Sequence, residues 1–122
     1  MNQTASSKSY DLEERTLGFA KRVRDYVRKL PKTISNFEYA KQLIRSSGSQ
    51  AANYIEANES LSKKDFIFRV KISKKETKES LLWVRLTEPT KSQEAEKEYL
   101  LREAGELIRI FGAIEHKIST KS

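Results

Sequence analysis

Cysteine is absent from this 122-residue chain, which removes disulfide stapling, thiol nucleophiles and thiolate metal sites together. Proline occurs twice and glycine four times, too few for a β-sandwich, which needs a turn roughly every 8–12 residues. The one histidine, His116, is followed by Lys117 and preceded by Glu115. It leaves little material for a nucleophile–base pair, and it lacks the Glu-x-x-His spacing of a di-metal bundle site. No glycine-rich phosphate loop is present. The expectation is a protein that is not an enzyme and carries no metal and no cofactor. No apolar run approaches the ~20 residues that cross a bilayer, so no membrane partner is expected. Residues 1–9 are polar and lack the apolar stretch of a signal peptide, so they are expected to form a disordered tail on a cytoplasmic protein.

What is present suits a folded, highly soluble single domain: 37% hydrophobic and 34% charged residues. Net charge is +7 and unevenly placed. Residues 1–45 hold ten Lys/Arg against five acids, residues 46–89 eight against six, and residues 90–122 six against six. A basic excess in the first half favours an anionic partner through long-range attraction and counterion release. It also keeps a protein soluble without any partner.

Four stretches carry helical periodicity, which predicts an all-α, antiparallel up-down four-helix bundle over residues 10–118, with 119–122 as a C-terminal tail. Asp11 and Glu14 form a start signal for the first helix, whose stripe runs Leu12, Thr16, Ala20, Val23, Val27 and Leu30, and Pro31 stops it. Ser35 and Glu38 are the corresponding signal for the second, which passes through Phe37, Ala40, Leu43, Ile44, Ala51, Tyr54 and Ile55 to about Asn58. Ser62 and Asp65 open the third, with core candidates Phe66, Val70, Ser73, Thr77, Ser80 and Val84, and Pro89 closes it. Thr90 and Gln93 open the fourth, with Leu100, Ala104, Leu107, Phe111, Ile114 and Ile118. The segment Ser46-Ser47-Gly48-Ser49 has the composition of a turn, yet the apolar period resumes in phase beyond it. Gly48 is therefore expected to be helical, at a cost of about 1 kcal/mol relative to Ala, offset by close approach of another helix.

Two surfaces are candidates for function. On the third helix Lys64, Lys71, Lys74, Lys75, Lys78 and Arg85 share the side opposite the core stripe, and the first helix repeats the pattern with Lys21, Arg24 and Arg28. These are the candidate nucleic-acid-binding residues, for RNA or DNA. Without interleaved aromatics or a recognition motif, phosphate contact should dominate over base reading. On the second helix Gln42, Arg45, Ser46, Ser49, Asn53 and Glu56 form a polar stripe. Short polar side chains suit a close helix–helix contact better than open solvent, so this stripe, with Glu76 and Glu79 on the third helix, is a candidate interface or buried polar network. Arg45 is expected to pair with Glu56, Glu76 or Glu79.

The run from Tyr10-Asp11-Leu12-Glu13-Glu14-Arg15-Thr16-Leu17 to Leu30-Pro31 resembles the bacterial four-helix-bundle proteins encoded in 23S rRNA intervening sequences. The likeness continues through Gln42-Leu43-Ile44-Arg45-Ser46, Ser49, Ala52-Asn53 and Glu56-Ala57. It extends to Ser62-Lys63-Lys64-Asp65-Phe66-Ile67, then Glu76, Glu79 and Trp83. Gln50 and Tyr54 depart from the aliphatic residues usual there, so packing around them is expected to differ. The resemblance implies a ring-like homopentamer with a role alongside RNA. A related branch, the accessory variability protein of diversity-generating retroelements, implies an alternative: a protein-interaction scaffold that docks on a reverse transcriptase.

Overall fold

The computed structural model describes residues 5–120, the side chains of 5–10 excepted. Four helices of nearly equal length follow one another: α1 Ala5–Arg28, α2 Ile34–Asn58, α3 Lys63–Leu86 and α4 Glu94–Ser119, the last entered through a 3₁₀ turn at Lys91–Gln93. Connections of a few residues force successive helices antiparallel. Helix α1 packs on α2 and α4, and α3 packs on α2 and α4. The result is a square up-down bundle in which α1 and α3 are diagonal.

Two boundaries differ from the periodicity. Helix α1 begins at Ala5, upstream of Asp11, so residues 5–9 of the expected tail are helical, while residues 1–4 and 121–122 lie outside the described residues. The cap of α2 is Thr33, whose side chain accepts the Asn36 N–H, not Ser35. Thr33 wins because Pro31 ends the preceding turn, leaving Thr33 extended at the first available position. Ser62 caps α3 through the Asp65 N–H as its spacing suggested, and Gln93 Oε1 accepts the Thr90 N–H at 3.4 Å.

The core is Leu12, Phe19, Val23, Tyr26 and Leu30 of α1, Leu43, Tyr54 and Ala57 of α2, Val70 and Val84 of α3, and Leu100, Ala104, Leu107 and Phe111 of α4. The α2·α3 contact is different in kind. Ser46, Ser73, Thr77 and Ser80 are fully buried there, small enough for the two backbones to approach closely. Their hydroxyls stay satisfied: Ser46 Oγ and Ser80 Oγ are 2.7 Å apart, Ser73 donates to the Gln50 carbonyl and Thr77 to the Ser73 carbonyl. Gln50 is buried too, and its amide crosses to the Thr16 carbonyl of α1 at 2.7 Å. The α1·α4 seam is held instead by ion pairs: Arg15 with Glu103 and Glu106, and Arg22 with Glu96 while stacked over Tyr99.

Gly48 is helical, as the in-phase apolar period predicts. It is exposed, and a Cβ placed there would meet nothing within 4 Å, so no helix of the same chain approaches it.

Candidate nucleic-acid interface and polar network

Lys64, Lys71, Lys75, Lys78 and Arg85 are exposed on the outer side of α3, whereas Lys74, expected with them, is half-buried at the α4 edge because Glu115 and Gly112 of α4 pack beside it. Lys71, Lys74, Lys75 and Lys78 line an open cleft of about 380 Å³ with Glu79 and Leu82. Their charge is partly neutralised within the chain. Glu115 of α4 accepts from Lys74 at 2.7 Å and lies 3.8 Å from Lys71, and Lys75 lies 3.7 Å from Glu79. Lys64, Lys78 and Arg85 are exposed, and their side chains make no ion pair among the described residues.

On α1, Arg24 donates to Asp25 at 3.1 Å and Arg28 lies 3.6 Å from the same carboxylate. The Arg24 guanidinium holds the Asp25 carboxyl below the usual carboxylate range. Lys21 is exposed and unpaired among the described residues. Arg15 and Arg22 face α4, on the other side of α1 from Lys21, Arg24 and Arg28. Because α1 and α3 are diagonal, the two basic stripes do not merge within one chain.

The polar stripe of α2 divides. Ser46 is buried in the α2·α3 contact, Ser49 and Asn53 are half-buried, and Gln42, Arg45 and Glu56 are exposed. Arg45 Nη2 donates to Glu79 Oε1 at 2.9 Å, and Nη1 lies 3.4 Å from the buried Glu76 carboxylate. Glu56 takes no part in that cluster. Asn53 donates to the Ser49 carbonyl at 3.0 Å and accepts from Arg69 Nη1 at 2.9 Å, so Arg69 joins a network that the spacing on α2 alone did not suggest. Tyr39 and Trp83 stack across the same α2·α3 edge with ring centroids 6.2 Å apart.

Two features have no counterpart in the candidate residues. Phe37, Ile44 and Ile55, read as part of the apolar run of α2, are 64%, 43% and 45% exposed. Asn36, which no pattern singled out, is buried and joins two loops. Among the described residues no group of three or more His, Cys, Asp or Glu is placed to hold a metal ion, and no helix is long and apolar enough to cross a membrane.

Residues 8–113 match the family model described as 23S rRNA-intervening sequence protein. The fold is similar to a crystal structure from Bacteroides thetaiotaomicron, titled a protein of unknown function from the S23 ribosomal protein family. The TM-score is 0.76 at 27% identity, covering 89% of this chain and 98% of that one. Comparison with curated proteins returns no match.

Proposed function

The chain belongs to the 23S rRNA-intervening sequence protein family, and from that premise we propose that it is a non-enzymatic, homo-oligomeric bundle that binds RNA through its basic helix faces. The observation that carries this reading is the α3 cleft, where four lysines meet two carboxylates, Glu79 and Glu115, and keep a positive excess. A surface of that kind attracts phosphate oxygens and releases counterions, and it has no means of telling one base from another. Lys78 and Arg85, without an ion pair among the described residues, are the first phosphate contacts; Lys64, Lys71, Lys74 and Lys75 extend the track. Lys21, Arg24 and Arg28 form a second track on α1. Five copies is the number that the family resemblance implies.

The competing reading is a scaffold for a protein such as a reverse transcriptase, and the exposed apolar side chains of α2 are what favour it. One experiment separates the two. Fluorescence anisotropy with a labelled RNA hairpin is measured from low to high salt for the parent chain and for Lys71→Glu/Lys78→Glu. The RNA reading expects the variant to bind at least tenfold more weakly, with the log–log salt slope reduced by about 1–2. Unchanged affinity and slope would overturn it, and the charge would then serve solubility alone.

A further inference from the structure

Two largely exposed stripes in this chain have the spacing of a helix–helix seam, only Ile72 and Glu79 among their members being half-buried. On α2, Ile34, Phe37, Lys41, Ile44, Gly48 and Ile55 recur at intervals of three, four and seven, the repeat with which one helix faces another. On α3, Phe68, Ile72, Lys75, Glu79, Leu82 and Leu86 recur at alternating intervals of four and three. Ile34 is 88% exposed, Phe68 57%, Leu82 47% and Leu86 40%. A soluble bundle does not ordinarily keep two such stripes open to water. Two different surfaces on one chain, each unpartnered, are what a head-to-tail contact between copies requires.

Resting on the oligomeric reading above, we propose that the α2 seam of one copy packs against the α3 seam of the next, and that the nucleic-acid surface is completed across this contact. The levels agree. Within the chain, the pairs Tyr39–Trp83, Arg45–Glu79 and Asn53–Arg69 show which residues of α2 and α3 lie at one height along the bundle. By that register Phe37 is level with Leu86, Ile44 with Glu79, Gly48 with Lys75 and Ile55 with Phe68. A closed ring whose axis runs along the bundles relates copies by rotation without rise, so these levels persist between neighbours. Apolar groups then meet at both ends of the seam. In the middle, the missing side chain of Gly48 leaves room for the stem of Lys75, and Lys41 falls within reach of Glu79. This gives the exposed Gly48 the close helix approach that its own chain does not supply.

The basic stripes follow. Lys21, Arg24 and Arg28 turn away from the α4 side of α1, where Arg15 and Arg22 lie, and flank the α2 seam, while Lys71 and Lys78 flank the α3 seam to which Lys75 belongs. Diagonal within one chain, they come side by side between copies, so the partner copy contributes half of the groove. A nucleic-acid phosphate chain laid along it would touch both.

The test uses uncharged substitutions at exposed positions, so that net charge and fold are kept: Phe37→Gln/Ile55→Gln for one seam and Phe68→Gln/Leu82→Gln for the other. The parent chain is expected to be oligomeric by light scattering, and each variant alone to be monomeric with an unchanged circular dichroism spectrum. Mixed in equal amounts, the two variants should form a two-chain complex that grows no further, because each still carries the seam the other has lost. A monomeric parent, a variant that still assembles fully, or a mixture that stays monomeric would overturn the pairing. The composite groove is tested with the same RNA hairpin: each variant should bind at least tenfold more weakly than the parent despite equal charge. Equal binding by parent and variants would overturn the groove. RNA that binds none of them would instead refute the function proposed in the preceding section, and with it the groove, while the seam pairing would still be decided by mass.

Discussion

Asn36 grips Glu88 from both sides: its Nδ2 donates to the Glu88 carbonyl at 2.9 Å, and its Oδ1 accepts the Glu88 N–H at 2.9 Å. The same Nδ2 also donates to the Pro31 carbonyl at 3.0 Å. One buried side chain thus ties the α1–α2 turn to the start of the α3–α4 turn, at the end of the bundle where no helix ladder can do so. Replacing it with Ala would remove the side-chain partner from a backbone donor and acceptor of Glu88 and from the Pro31 carbonyl, beside a pocket lined by Pro31 and Phe37. Asn36→Ala is expected to cost about 2–3 kcal/mol, seen as a lower urea midpoint with an unchanged m-value. A cost below about 0.5 kcal/mol would mean that solvent reaches the turn and satisfies those groups.

The bundle was legible because helix periodicity, caps and proline stops all bear on local backbone, and the same residues decide burial. Val70, Ser73, Thr77, Ser80 and Val84 are each fully buried, small polar members included. Asn36 escaped because nothing in its neighbourhood marks a contact with Glu88, 52 positions away. Phe37, Ile44 and Ile55 misled for a related reason: an apolar residue on the edge of a helix stripe has the same signature whether its own chain or another copy covers it. Arg45, Glu76 and Glu79 come together, whereas Glu56, eleven residues along the same helix from Arg45, is about three turns away and too far to join them. The basic stripes were readable on each helix, but their diagonal placement depends on helix order around the bundle, which no local pattern encodes.

Gly48 provides a second stability test. It is helical and exposed, with open space where a Cβ would stand. In a monomeric background such as Phe37→Gln/Ile55→Gln, Gly48→Ala should stabilise the fold by about 0.5–1 kcal/mol, the difference in helix propensity. The measurement is the urea midpoint. A loss of stability would show that the backbone there needs conformations closed to Ala.

The α1·α4 contact should respond to acid. Arg15 holds the exposed Glu106 carboxyl below the usual carboxylate range and donates to Glu103 through two nitrogens. A carboxyl whose folded pKa is depressed adds stability above its unfolded pKa, and that contribution disappears as pH falls through the folded value. The thermal midpoint of Arg15→Gln should therefore lie below that of the parent at pH 7, and the gap should close as pH falls below about 4. Screening limits the size of the gap for the Glu106 pair, and 1 M salt should narrow it at neutral pH. A gap that stays constant from pH 7 to pH 3 would assign the effect of the substitution to lost packing of the Arg15 stem.

Glu115 offers the sharpest test of whether the α3 lysines act through free charge. Its carboxylate occupies Lys74 and draws on Lys71, so in the free protein it competes with any phosphate for both ammonium groups. Glu115→Gln keeps the side chain's size and one acceptor oxygen but removes the charge. If the lysines bind phosphate, the variant should bind an RNA hairpin several-fold more tightly at 100 mM salt, with a salt slope at least as steep as the parent's. The change in stability should be small, about 0–1 kcal/mol, because the pair sits at the rim of the α3·α4 contact. Weaker binding would reverse the argument: Glu115 would then be holding Lys71 and Lys74 in place for the phosphate chain, and their positions rather than their charge would limit affinity.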